Sequence, residues 1–194
     1  AGAKDDPAAL DEFLHIIQSE TSRLLALTED ILALAKSPER LSKVAPVNVA
    51  NIATEIFEAN KPAADTLGLQ LQNEISPSFT VNQDESVVRQ ILTNLIVNAI
   101  KYNRPGGLVK VAAMVTASEF LMAVKDTGLG ISSEEQSRIF ERFYRIDKSR
   151  NQAIPGTGLG LAIVQDLVSK SQGTIELDSQ VGVGSTITVN LPLQ

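Results

Sequence analysis

The chain has 194 residues with 17 basic and 23 acidic side chains, giving a net charge of −6, which argues against a nucleic-acid footprint. It contains no cysteine, no tryptophan and a single histidine, so disulfides, thiolate metal sites, His-based metal clusters and His-assisted serine triads are all disfavoured. At 43% hydrophobic and 21% charged it reads as an ordinary globular chain, without a secretory leader or the ~18-residue apolar run that a membrane span needs.

Ala1 to Pro7 is small and polar and reads as a disordered end. From Asp11 to about Ala35 neither Gly nor Pro intervenes. Leu10, Leu14, Ile17, Thr21, Leu24, Thr28, Ile31 and Ala35 follow a four-three spacing, the seam of a helical bundle. Such a stripe cannot be buried by one helix alone, so a partner helix is expected from another chain or an upstream segment. His15 lies beside the stripe; without an adjacent acid or a following proline it reads as a rim residue rather than a phospho-acceptor.

Ser37-Pro38 stops this helix, and Pro38 to Pro46 reads as a linker. Asn48 is a plausible N-cap for a helix to about Leu67, which Pro62 would kink and Gly68 would end. Leu69 to Ile75 alternates as a strand, with a short strand at Phe79 to Val81 expected beside it. Asp84 to Tyr102 reads as a helix burying Val88, Ile91, Leu92, Leu95 and Ala99. Asn94, Asn98 and Lys101 line a separate flank. Asparagine is a poor helix-interior residue, so two of them four apart suggest either a polar ligand along the flank or a solvated face.

Leu108 to Thr116 and Glu119 to Asp126 read as a hairpin whose second strand points Phe120, Met122, Val124 and Asp126 to one face. A carboxylate closing an apolar layer needs donors, from a bound amine heterocycle or from backbone N–H groups. Ser132 to Arg138 is a short helix. Phe140 and Phe143, matched by Arg142 and Arg145, are then core anchors or a flap clamp. Thr174 to Ser179 and Ser185 to Leu191 close the chain as a strand pair turned by Gly182 and Gly184.

Two glycine-rich segments stand out: Asp126-Thr-Gly-Leu-Gly-Ile131, after a strand, and Gly156-Thr-Gly-Leu-Gly-Leu161, before a helix. Glycines two apart suit tight turns and leave room for a close ligand, and a loop feeding a helix N-terminus is a seat for phosphate. The G-x-G-x-G spacing departs from the dinucleotide and protein-kinase glycine loops, and no P-loop motif occurs. Either segment alone is equally a strand-end turn or a helix entry.

Together, in order and spacing, these segments resemble the catalytic ATP-binding domain of two-component sensor histidine kinases, of the GHKL ATPase superfamily. Asn94 to Tyr102 resembles the asparagine box, Asp126 to Ile131 the first glycine box, Phe140 to Arg145 the phenylalanine box and Gly156 to Ile163 the second glycine box. Gly182 to Pro192 is similar to the closing strand. The resemblance implies an α+β fold, a two-layer α/β sandwich with a mixed, mostly antiparallel sheet of about five strands and three main helices.

By position the resemblance implies that Asn98 coordinates Mg²⁺ on the phosphates of ATP, with Asn94 close by. Lys101 would contact phosphate, and Tyr102 would pack near the adenine or ribose. Asp126 would accept from the adenine amine with Thr186 as helper, beside Gly128, Gly130 and Ile131. The backbone of Gly158, Leu159, Gly160 and Leu161 would hold the phosphates, Gly156 and Thr157 would also bind the nucleotide, and Arg145 would reach the γ-phosphate. Hydrolytic relatives carry a glutamate at the Asn94 position; an amide cannot act as that base, which favours phosphoryl transfer to a protein.

Residues 9–37 resemble the second helix of the family's dimerisation and phosphotransfer hairpin, after a disordered 1–8 and before a linker at 38–46 and a catalytic domain at 47–194. The first helix, with its acceptor histidine, is missing, and Ser171-Gln172 stands where the family often has a histidine before Gly173. The resemblance implies a second protomer, a phosphotransfer helix and a response-regulator receiver domain as partners, and a cytoplasmic location. An anti-sigma-type serine kinase is the runner-up; the bundle helix and phenylalanine box speak against it. A degenerate ATP-binding scaffold is the third reading.

Overall fold

The computed structural model describes residues 44–146 and 157–193, and positions 9–11, 13, 14, 16–18, 20, 21, 24, 25 and 28 near the start. His15, Gly156, the expected disordered end at 1–8, the end of the first helix and Ser37-Pro38 lie outside the described residues. The chain divides into two compact units, Ala1–Ser37 with Asp147–Thr157, and Pro38–Ile146 with Gly158–Gln194.

In the first unit every described position from 9 to 28 is helical. Leu10, Phe13, Leu14, Ile16, Ile17, Leu24 and Leu25 are all exposed there, an apolar surface that this helix does not bury by itself.

The second unit begins with β1 (Ala45–Asn48), where the sequence suggested a linker. Val47 pairs with Val81 of β3 (Thr80–Gln83) and both are buried, so two short strands form a separate ribbon. Pro46 is tolerated because this ribbon is all edge. The short strand near Phe79 therefore does not lie beside β2 (Gln70–Asn73), as expected from their closeness in sequence; β2 pairs parallel with β4 (Leu108–Val115) instead.

Helix α1 (Val49–Thr66) starts where Asn48 Oδ1 accepts the Asn51 N–H at 2.9 Å, contains Pro62, and stops before Gly68 at φ 61°. Helix α2 (Glu85–Lys101) is capped by Asp84, whose carboxylate accepts from Ser86 N at 2.9 Å. Then come β5 (Glu119–Asp126), a short α3 (Ser133–Gln136), α4 (Gly160–Lys170), β6 (Thr174–Gln180) and β7 (Gly184–Pro192).

The main sheet runs β2-β4-β5-β7-β6, parallel only at β2-β4, as the resemblance implied. Alternation assigns its faces. Phe120, Met122 and Val124 are buried, together with Val109, Val111, Val189 and Leu191, whereas Lys125 is exposed. Helices α1, α2 and α4 pack on this apolar face, with α2 between its two neighbours and over β4 and β5. Val88, Ile91, Leu92, Leu95, Ile96, Ala99 and Ile100 of α2 are buried, each large one contributing about 1.5–3 kcal/mol. The most buried helix thus carries the asparagine flank, held fixed from three sides.

Candidate functional site

Strand β5 delivers Asp126 to the end of the apolar layer. Its carboxylate accepts from the Gly128 N–H at 2.7 Å and from the Ser185 backbone N–H. Burial pushes its pKa above the ordinary carboxylate range, and the two N–H bonds pull it partly back. A carboxylate has about four acceptor positions, so these two bonds leave capacity for a ligand amine. Both expected kinds of donor are therefore compatible with the site, and the backbone kind is already in place.

The turn after Asp126 is stitched to its surroundings. Thr127 Oγ1 accepts from Leu108 N at 2.9 Å, Leu129 N donates to Tyr102 O at 3.1 Å, and Gly182 N donates to Leu129 O at 2.8 Å. Buried Asn103 donates to Ala99 O and Leu108 O at 3.0 and 3.1 Å, tying the end of α2 to β4. Gly130 has φ 67°, and a Cβ there would collide with the Gln180 carbonyl oxygen. This glycine is required by the approach of the protein's own backbone, not only by room for a ligand.

At the other end, α2 presents half-buried Asn94 and Asn98 toward the start of α4. A Cβ on Gly160 would lie 2.9 Å from Asn94 Oδ1 and 3.6 Å from Asn98 Nδ2. Asn94 donates its amide to Gln90 O at 2.9 Å, one turn back, while the Asn98 side chain makes no hydrogen bond among the described residues. Helix α4 starts after fully buried Leu159, which supplies no side-chain cap. Among the described residues its first-turn N–H groups, at the positive end of the helix dipole, meet two carboxamides, and the first turn itself carries no acid, an arrangement suited to an anion.

Gly158, at φ 74°, accepts from Phe143 N at 2.9 Å, so the phenylalanine segment holds the loop before α4. Phe143 itself has φ 64°, a strained conformation for a bulky residue. It is exposed and Phe140 half-buried; Ile139 is the buried anchor, which corrects the core-anchor alternative for the two aromatics. The Arg138 guanidinium stacks 4.2 Å from the Tyr144 ring centroid.

Eight residues along α2, about 12 Å at 1.5 Å per residue, separate Asn94 from Tyr102. Lys101 Nζ lies 5.4 Å from the Tyr102 ring, and Tyr102 O receives the first glycine turn. One helix thus connects the carboxylate end to the α4 end. Arg145 is half-buried and already engaged, and Thr157 belongs to the other unit, so neither is placed in this arrangement.

Thr186, expected to assist Asp126, pairs with Lys125 on the opposite sheet face, whereas Ser185 is the residue that pairs with Asp126. The parity of Ile187, Val189 and Leu191 carried that signal already. Ser179 and Gln136 were not singled out either. Ser179 Oγ accepts from Ile131 N at 2.8 Å, and Gln136 Nε2 donates to Ile131 O and Ser179 O at 3.2 and 3.0 Å. Their partners come from distant strands, which local pattern does not reveal.

Residues 83–194 match the family described as histidine kinase-, DNA gyrase B-, and HSP90-like ATPase. The sensor-like histidine kinase SenX3 of Mycolicibacterium smegmatis is 35% identical over 190 residues, covering 97% of this chain and 50% of SenX3. The sensor histidine kinase WalK of Bacillus subtilis is 34% identical, covering 98% of this chain and 32% of WalK. The chain therefore spans half or less of these relatives. Among solved structures, full-length ShkA in complex with AMPPNP superposes with a TM-score of 0.79 at 29% identity, over 94% of this chain and 38% of ShkA.

Proposed function

This chain belongs to the histidine kinase-, DNA gyrase B- and HSP90-like ATPases, and from that premise we propose that its second unit binds Mg-ATP and transfers the γ-phosphoryl group to a histidine outside the chain. The observation that carries this reading is the geometry of α2. It joins an amine-accepting carboxylate, Asp126, to an uncapped helix start lined by Asn94 and Asn98. Adenine sits at the first end, donating its amine to Asp126, with Tyr102 alongside and Ser185 in the role first given to Thr186. The phosphates sit at the second end, on the backbone of Gly158 to Leu161 and near Lys101. The similar ShkA structure is a complex with AMPPNP, which supports a nucleoside triphosphate as the ligand of this chain.

Magnesium fits the donor set. No group of three or more His, Cys, Asp or Glu side chains could hold a metal among the described residues. An Asn98 amide oxygen is a hard ligand suited to an ion otherwise held by phosphates and water. Bound there, Mg²⁺ would neutralise phosphate charge. Asn94 offers no base for water, and its amide is committed to its own helix, which supports transfer over hydrolysis. Arg145 is the cation assigned to charge developing on the γ-phosphate.

In the intact protein the exposed apolar stripe of the first helix pairs with the acceptor helix and a second protomer, on the cytoplasmic side, for relay to a response-regulator aspartate. Among the described residues no helix is long and apolar enough to cross a membrane.

Calorimetric titration with ADP and a non-hydrolysable ATP analogue, with and without Mg²⁺, tests the binding step. Affinity in the micromolar to millimolar range, strengthened by Mg²⁺, is expected. Mixing the chain and labelled ATP with a separate helical hairpin bearing an acceptor histidine then tests transfer, read as acid-labile phosphate on the hairpin. No binding to the folded chain would overturn the reading.

A further inference from the structure

The hydroxyl of Ser179 and the amide of Gln136 meet at the first glycine turn from elements outside every motif so far discussed. Ser179 Oγ accepts from Ile131 N, donates to Gly184 O at 3.1 Å, and lies 2.9 Å from Ser185 Oγ. A hydroxyl has one proton and two lone pairs, so with its proton on Gly184 O it accepts from both Ile131 and Ser185. Gln136 forks across the same junction, reaching Ile131 O and Ser179 O. Gly130 rests against the Gln180 carbonyl next to Ser179.

The carboxylate that takes the base is bonded to Ser185 N and Gly128 N, so the glycine turn and the start of β7, which converge on Ser179, are also the two segments that hold Asp126. We propose that Ser179, with Gln136 as its brace, is a positioning residue for the base: it fixes the Asp126 to Ile131 turn against β6 and β7 and so sets discrimination by the base's 6-substituent. The same brace joins the base end to α3 and, through Ile139 to Phe143, to the loop at Gly158. Neither residue touches nucleotide; each acts through the turn.

This inference rests on the adenine placement proposed above, and the experiment separates the two. ADP and IDP, which differ at the 6-position of the purine, are titrated with Mg²⁺ into the wild-type chain, Ser179→Ala, Ser179→Thr and Gln136→Ala. The wild type is expected to prefer ADP. Ser179→Ala and Gln136→Ala are expected to cut the ADP-to-IDP affinity ratio about three- to tenfold, the worth of one hydrogen bond, with IDP affinity unchanged. Ser179→Thr, which keeps the hydroxyl, is expected to restore the ratio. Thermal melts identify any variant that does not fold, and Gln136→Ala, on a half-buried side chain, then decides alone. Equal weakening of both nucleotides, or an unchanged ratio, overturns the positioning role while leaving the adenine placement intact. A wild type that binds both nucleotides equally overturns the adenine placement and this inference with it.

Discussion

The two ends of the groove along α2 are built on opposite plans. At the Asp126 end nearly every polar group is already spent on the protein: the carboxylate on Gly128 and Ser185, Thr127 on Leu108, Leu129 on Tyr102 and Ile131 on Ser179. At the α4 end the helix start has no side-chain cap, and the Asn98 side chain makes no bond among the described residues. The first plan gives shape, because a neutral heterocycle is recognised by fixed donors and acceptors. The second gives charge compensation, because phosphate brings its own ion and needs only N–H groups and an oxygen ligand. Preorganisation is therefore concentrated where specificity is needed, and spare valence where charge arrives.

The largest effect should come from breaking the first plan at its centre. Asp126→Asn keeps the size but turns an acceptor into a donor facing the adenine amine and two backbone N–H groups. ADP affinity is expected to fall about ten- to hundredfold, the worth of a hydrogen bond to a charged acceptor. Titration calorimetry reads it; an unchanged affinity would put the base elsewhere. The second plan predicts a different signature. Asn98→Ala is expected to lower affinity about tenfold in Mg²⁺ and hardly at all in chelator, so the two titrations converge. Equal loss in both conditions would remove Asn98 from the metal.

Acid separates the ends as well. Burial raises the folded-state pKa of Asp126 above its unfolded value of about 3.9. The carboxyl's contribution to stability is then complete below the unfolded value and is lost as pH rises through the folded value. Binding needs the opposite charge state. As pH falls through the raised pKa, ADP affinity should drop while the contribution of this group to stability grows. In Asp126→Asn both profiles lose that component, which paired titrations and melts across the acidic range would display. A wild-type affinity that matches the variant's pH profile would exclude this carboxylate as the base acceptor.

Much of this arrangement was legible in the sequence, and for identifiable reasons. The α2 stripe, its Asp84 cap, the hairpin to Asp126 and the parallel glycine segments rest on local periodicity and capping, which are short-range properties. The ribbon of Ala45–Asn48 with Thr80–Gln83 was not legible, because a proline-containing four-residue strand is defined only by its partner. The resemblance implied Thr186 beside Asp126, whereas the strand register pairs Ser185 with Asp126; counting back from Leu191 by twos reaches Ser185. Ser179 and Gln136 depended on a strand junction 43 residues apart in sequence, beyond any window of pattern.

The smallest effects test whether backbone strain is distributed like the polar groups. Among the described residues two non-glycine positions have left-handed backbones: Phe143 at φ 64°, whose N–H holds Gly158, and Gln172 at φ 57°, just past the C-cap of α4. Glycine at Phe143 should relieve about 1 kcal/mol of strain and raise the melting temperature, but loosen the loop before α4, so that phosphoryl transfer falls although ADP still binds. Gln172→Gly should relieve a similar or smaller amount, about 0.5–1 kcal/mol, because helix C-termini favour glycine there. Gln172 closes its helix by donating to Ser169 O at 3.1 Å, and next to it a Gly173 Cβ would collide with Asn190 O. Nothing in that corner adjoins the groove, so binding and transfer should stay at wild-type levels as stability rises. If transfer fell in Gln172→Gly as it does in Phe143→Gly, strain at the far end of α4 would be felt at its N-terminus, and α4 would act as a rigid lever rather than a fixed seat.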